Sequence, residues 1–419
     1  MLDLKFIREN SDLVKKNVAN KNATADIDAI ITFDEKRREI ISQVEVLKAE
    51  RNTKSKEIGQ IKKQGGDASS IMEGMKEISE KIKNFDEELR EIEEKLNSEI
   101  LKVPNLTDDS VPIGKNEEDN KEIRTWGEKV NADHGMDHIE IAKKLGIFDF
   151  ERGAKVTGGG FAFMTGKGAR LERALINFFL DENTSAGYTE MMTPFIVNEN
   201  SMRGTGQLPK MAEDMYHAQE DNLYLIPTAE VPLTNFHNGE MLTNEDLPKY
   251  LTAYSPCFRR EAGSYGKDVR GFLRVHQFNK VELVKFVHPE NSDDELEKLT
   301  KTAENLLQKL GLSYRVLLLC TGDTSFASSK TYDLEVWARS EKNWLEVSSC
   351  SNFRDFQARR AGIRFKRKAD EKPEFVHTLN GSALATPRVL VALIEQYFDG
   401  EKLVIPEVLR PYTGFDVID

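Results

Sequence analysis

Arg259 and Arg274 stand fifteen residues apart, on either side of the stretch GSYGKDVRG. Arginine carries a permanent charge on a planar fork that matches phosphate oxygens two at a time. The stretch between them is too polar and glycine-rich for a strand, so residues 258–262 and 272–286 read as the arms of a long-looped hairpin. Side chains alternate along a strand. Arg274, His276, Phe278 and Glu282 would then share one face, and Arg259 and Glu261 would share one on the other arm. If both faces line one cleft, it holds two guanidinium groups, a flat ring on which a base could stack, and two carboxylates. A nucleoside triphosphate fits such a cleft. A solvated hairpin laced with ion pairs is the competing reading of the same residues.

Other constellations are weaker. The run VTGGGFAFMTGKG resembles a phosphate loop, but five residues separate Gly160 from Gly166 and Lys167 is followed by Gly168, where Ser or Thr is needed. Two strands joined by a glycine turn describe it better. His134 and His138 have the spacing of a helical metal pair, yet Gly135 lies between them and Asp137 reads as the N-cap of IEIAKKLG. The cysteines Cys257, Cys320 and Cys350 are odd in number and far apart, which excludes a disulfide framework and a CxxC metal pair. Cys257 and Cys350 read as packed thiols. Without an apolar leader or a membrane-length apolar run, a reducing cytoplasm is the expected location, with no membrane partner. The net charge of −12 argues against indiscriminate nucleic-acid binding but leaves room for a local basic surface.

Two kinds of element would carry these residues. Over roughly 30–100, positions recur at alternating spacings of four and three: the apolar Phe33, Ile40, Val44, Leu47, Ile58 and Ile61, with Arg37, Arg51 and Lys54 filling the gaps, then Ile71, Met75, Ile78, Ile82, Phe85, Leu89, Ile92 and Leu96. That heptad pattern predicts an antiparallel helical hairpin, a coiled-coil arm. Its turn lies at Gly65 and Gly66, with Asp67, Ser69 and Ser70 able to cap the second limb. Arg51 and Lys54 fall on the seam near the tip and weaken it there. Residues 48–63 carry six basic side chains against two acids, whereas residues 86–99 carry seven acids against two bases. A basic tip on an acidic chain suits a phosphate backbone. A dimerisation or spacer coil is the other reading of the pattern. Pro104 ends the arm, and 104–130 reads as a polar linker. From 131 onward many strand-like runs alternate with few helices, which predicts an α+β domain around a mainly antiparallel sheet.

These segments resemble a known family. FRREAGSYGKDVRGFLRVHQFNKVE resembles motif 2 of the class II aminoacyl-tRNA synthetases, GYTEMMTPFIVNENSMRGTGQLP resembles motif 1, and NGSALATPRVLVALIE resembles motif 3. Within the class, LIPTAEVPLTN, TYDLEVW, EVSSCSNFRDFQARR and HTLNGSALA, with the hairpin in front, are similar to the seryl-tRNA synthetase family. The resemblance implies an N-terminal tRNA-binding domain over 1–103, a linker over 104–130 and a class II catalytic domain over 131–419.

By the same resemblance, Arg259 meets the α-phosphate of ATP and Glu261 the adenine amino group. Arg274 holds the γ-phosphate. Phe278 stacks under adenine, and Arg388 lies on its other face or near the phosphates. Arg260, Val275, Val347 and Ser348 border the nucleotide, and Glu346 and Ser349 hold Mg²⁺. Strict alternation puts Glu346 and Ser349 on opposite faces, so a bulge or strand end is expected between them. L-Serine is implied to lie among Thr228, Ala229, Glu230, Arg259, Glu282, Asn380 and Ser382. Arg260 stands where many relatives have Ser, and Pro387 where Gly is frequent.

The implied chemistry is attack of the serine carboxylate on the α-phosphorus, then transfer to the 3′ end of serine tRNA, and of selenocysteine tRNA where present. An ionised carboxylate needs no general base, which fits the lack of a His or Cys constellation. The chain runs only 31 residues past Arg388, so recognition of the long variable arm of serine tRNA is expected to fall to the hairpin. Homodimerisation is implied by motif 1. A ligase charging a carrier protein and an inactive tRNA-binding paralogue are the alternatives.

Overall fold

The computed structural model describes residues 1–131, 135–262 and 270–419. It divides into two compact units, one spanning Leu2–Pro104 and the other Asn105–Asp419.

The first unit is helical. Two short helices, α1 (Leu4–Glu9) and α2 (Ser11–Asn20), precede the long limbs α3 (Ile27–Lys63) and α4 (Ser69–Ile100). At 37 residues, α3 is about 55 Å long. Ile40, Val44 and Ile92 form the packed seam, joined by Phe33, Phe85 and Leu89. Ile58, Ile61 and Ile71 near the tip are only half-buried, as the polar seam positions Arg51 and Lys54 imply. Gly65 turns the chain at φ +71°, and the Asp67 carboxylate accepts from the Ser69 backbone N–H at 2.9 Å.

The second unit is built on eight strands: β1 (Lys121–Trp126), β2 (Thr189–Glu190), β3 (Lys249–Phe258), β4 (Gln277–Val287), β5 (Tyr314–Leu318), β6 (Lys330–Ala338), β7 (Asn343–Arg354) and β8 (His377–Ala385). Their order across the sheet is β1-β5-β6-β7-β8-β4-β3-β2. All neighbours are antiparallel except the edge pair β2 and β3. Helices α5 (His138–Leu145), α6 (Phe150–Thr157), α7 (Gly166–Ser185), α8 (Glu199–Thr205), α9 (Glu230–Asn235), α10 (Ser292–Lys309), α11 (Phe356–Ala361) and α12 (Thr386–Tyr397) complete it. The largest core joins α7, α10 and α12 to the sheet through Leu171, Phe178, Phe179, Leu299, Leu307, Val389 and Leu393.

Several elements depart from the sequence reading. The stretch 104–130 supplies β1, the edge strand paired with β5. The glycine run 158–160 follows a helix, α6, and leads into a two-residue strand, Phe163–Met164. The hairpin arms are β3 and β4, so residues 259–262 and 272–276 lie outside the ladder. Most of the loop between the two arginines lies outside the described residues, as does His134.

Candidate functional site

A cavity of about 440 Å³ opens over the sheet where β4, β7 and β8 meet. Thr228, Glu230, Arg259, Glu261, Arg274, Val275, Phe278, Glu282, Glu346, Val347, Ser348, Ser349, Asn380, Ser382 and Arg388 all border it. Two expected residues do not. Ala229 is fully buried in a core cluster behind the cavity, and Arg260 points its guanidinium over Tyr216, 5.9 Å from the ring centre. His276 also leaves the shared face. Its Nδ1 lies 3.0 Å from the Arg259 carbonyl, and its ring packs so close to Gly160 that a Cβ there would meet it at 2.4 Å. Strand parity fails at His276 because β4 begins only at Gln277.

At one end of the cavity the groups are cationic and aromatic. The Arg259 guanidinium lies 5.1 Å from the Phe278 ring centre, and its Nε donates to the Pro227 carbonyl at 3.4 Å. Arg274 donates to Glu261 at 2.6 Å, with Glu261 held at φ +51°. Arg388, in the first turn of α12, donates to the carbonyls of Leu273 and Glu346 at 3.2 and 3.0 Å. Three guanidinium groups thus converge on one end, with a flat ring among them. Such an end suits a polyphosphate and a base.

Between β6 and β7 the register shifts: Leu334 faces Ser348 while Glu335 faces Glu346, so Val347 is the extra residue of a bulge. The bulge puts Glu346 and Ser349 on the same cavity wall, resolving the parity conflict. Beneath them Asp333 keeps one buried carboxyl oxygen without a partner, and burial followed by the charge of Glu346 holds its carboxyl well above the usual range. This hard-oxygen donor set fits Mg²⁺ rather than a soft metal.

At the other end the lining groups are polar and buried. Lys280 Nζ pairs with the Glu282 carboxylate and donates to the Thr228 hydroxyl at 2.9 Å. That hydroxyl donates to Glu282 at 3.1 Å, and Glu282 sits opposite Ser382 across the β4–β8 ladder. Glu282, which borders the cavity, is fully buried, and its Oε1 is a buried acceptor with no hydrogen-bond partner among the described residues. Burial raises its carboxyl despite Lys280. Glu230 accepts from Gln357 at 2.6 Å and from Gln207 at 3.4 Å. Burial and then the charge of Glu282 push its carboxyl up to about 7. A small ligand bearing an ammonium group and a hydroxyl would satisfy these acceptors.

Lys280, Gln207 and Gln357 are additions that the sequence reading did not make. Lys280 had a signal: the parity that gathers Phe278 and Glu282 includes it. Gln357 stands 127 residues from its partner Glu230, and no local pattern foretells that contact. The thiols of Cys257 and Cys350 are buried, and burial pushes Cys350 up to about 12. His138, Glu341 and Glu395 come within metal-ligand reach of one another. Both ring nitrogens of His138 are engaged, however, Nδ1 with Glu395 at 3.2 Å and Nε2 with the Phe272 N–H at 3.4 Å.

Residues 1–107 match the seryl-tRNA synthetase N-terminal domain, and residues 213–397 match the tRNA synthetase class II core domain (G, H, P, S and T). The serine–tRNA ligase of Chlorobium phaeobacteroides strain BS1 is 53% identical over the whole of both chains. The chain belongs to the seryl-tRNA synthetase family. The seryl-tRNA synthetase family also supplies a solved structure from Pyrococcus horikoshii, complexed with ATP. That structure has a TM-score of 0.93 and 37% identity, covering 100% of this chain and 99% of that one. The cytoplasmic enzyme of Naegleria fowleri, solved with AMP, has a TM-score of 0.87 and 31% identity over 100% of this chain and 99% of that one.

Proposed function

We infer that this chain is a serine–tRNA ligase: it activates L-serine with ATP and transfers the seryl group to the 3′ end of serine tRNA. The observation that carries the reading is one cavity with two unlike ends. Arg259, Arg274 and Arg388 line it together with Phe278 at one, and the buried Thr228, Glu230 and Glu282 line it at the other, Glu282 with an unpartnered Oε1. ATP binds at the first end, with adenine at Phe278 and the phosphates among the arginines. Serine binds at the second, its ammonium and hydroxyl toward Glu230, Glu282 and Thr228. Its carboxylate then lies beside Arg259, where the two ends meet. The carboxylate oxygen bonds to the α-phosphorus as the bond to pyrophosphate breaks, and the arginines neutralise the charge that develops. A ribose hydroxyl of the tRNA next attacks the seryl carbonyl, releasing AMP.

Glu346 and Ser349 hold Mg²⁺ in this reading. Bound there, the ion would supply positive charge to offset that of the phosphates. The unit Leu2–Pro104 is the tRNA-binding domain, with the basic distal part of α3 on the backbone of the variable arm. Selenocysteine tRNA, where present, is read the same way. The catalytic unit works as a homodimer in the cytoplasm. Within the motif 1 stretch, Met192 is 96% exposed and Phe195 and Ile196 are also exposed, an apolar surface that a second copy would cover. No helix among the described residues is long and apolar enough to cross a membrane.

The test is ATP–pyrophosphate exchange over a panel of amino acids, followed by charging of serine tRNA with and without its variable arm. Serine-dependent exchange, with charging that needs the arm, is expected. Exchange without charging would point to a carrier-protein ligase, and absence of exchange to an inactive paralogue.

A further inference from the structure

Glu172 lies outside the cavity, yet it joins two segments that frame it. It sits on α7 and is 3% exposed. Its Oε1 accepts from the Asn279 side-chain amide at 2.7 Å and from the Thr386 hydroxyl at 2.6 Å. Asn279 directly follows Phe278 on β4, and Thr386 opens α12 two residues before Arg388. The Asn279 carbonyl oxygen of the side chain accepts from the Tyr254 hydroxyl at 3.0 Å, and the Thr386 hydroxyl also lies 3.1 Å from the Asn279 main-chain carbonyl. One carboxyl oxygen therefore fixes the strand that carries Phe278 to the helix that carries Arg388.

We propose that Glu172 is a positioning residue for ATP, setting the distance between the Phe278 ring and the Arg388 guanidinium through Asn279 and Thr386. The inference rests on the cavity's Phe278 end being the adenine site. Glu172 Oε2 is buried without a partner, and burial pushes the carboxyl up to about 7. No charged side chain contributes to that shift, so the carboxyl acts as a hydrogen-bond acceptor and not as half of an ion pair. An amide of the same shape keeps the working oxygen. An apolar side chain of similar volume fills the space but removes it. The serine pocket has a further network of its own, Lys280 to Thr228 and Thr228 to Glu282, which does not include Glu172.

The experiment compares Glu172→Gln and Glu172→Met in the full-length protein by pyrophosphate exchange, measuring KM for ATP and for serine separately. Glu172→Gln should stay within about threefold of the parent in both. Glu172→Met loses both accepted bonds and should raise KM for ATP about tenfold while leaving KM for serine unchanged. A Thr386→Val and Thr386→Ser pair repeats the comparison from the other partner and decides the matter if Glu172→Met does not fold. A Met or Val variant that lowers the melting temperature with both KM values unchanged would overturn the proposal. So would equal rises in both KM values, or a Gln variant as impaired as Met. A parent without serine-dependent exchange would instead overturn the functional reading and this inference with it.

Discussion

Serine binding should release protons, because Glu230 is the carboxyl that the ligand's ammonium must find ionised. Among the described residues the pocket holds one buried cation, Lys280, already paired with Glu282. Glu230 accepts from the side-chain amides of Gln357 and Gln207, and its carboxyl is raised to about 7 by burial and the nearby Glu282 charge. It is therefore neutral below that value and charged above it. If the ammonium binds only the ionised form, apparent affinity scales with the ionised fraction, and KM for serine should fall about tenfold between pH 6 and pH 8. Near pH 7 each binding event should release about half a proton, seen by calorimetry in buffers of different ionisation enthalpy. Glu230→Gln should show a high KM for serine that no longer changes over this range. The same raised carboxyl affects folding with a definite sign. The folded state holds this proton more tightly than the unfolded chain does, so the ligand-free protein loses stability as pH rises from about 4.5 through 7. The loss is about 3 kcal/mol for a shift of this size. A KM for serine that is flat in the parent, or proton uptake on binding, would refute the charge assignment.

Four further outcomes follow from other parts of the molecule. Arg274→Ala removes a guanidinium that Glu261 holds at 2.6 Å; kcat/KM for ATP in exchange should fall by about 10² to 10³, with the affinity for tRNA unchanged by filter binding. In-frame removal of residues 34–98 should do the reverse, sparing exchange while charging of serine tRNA drops by about a hundredfold or more; normal charging by the shortened protein would contradict the role of the arm. Gly271→Ala forces a side chain onto φ +58° with its Cβ 2.2 Å from His138 Nε2, and thermal unfolding should show a loss of about 2 to 3 kcal/mol. Gly65→Ala, at φ +71° with open space around it, should lose about 1 kcal/mol by the same measurement.

The sequence was most legible where a periodic rule held without interruption. The heptads of α3 and α4 gave both limbs and the turn between them. Alternation along β4 gathered Phe278 and Glu282, and Lys280 followed the same rule unread. Parity also showed its own failure at Glu346 and Ser349, where a bulge at Val347 was the required remedy. Elsewhere the rule was carried too far. Residues 272–276 are not strand, so His276 turned away to pack on Gly160. The edge strand β1 is mostly exposed and charged, with a burial pattern no different from that of a linker. The partners behind the site were out of reach for another reason. Glu230 with Gln357, and Glu172 with Thr386, are separated by 127 and 214 residues, and only the folded sheet brings them together.

The central claim is that one cavity holds both substrates, with Arg259 at their junction. A crystal structure with a non-hydrolysable seryl-adenylate analogue tests it most directly. The account predicts the base against Phe278, the linking group within hydrogen-bond distance of the Arg259 guanidinium, and the seryl ammonium and hydroxyl on Glu230, Glu282 and Thr228. An analogue bound elsewhere, or with its seryl end turned away from Glu282 and Lys280, would contradict it.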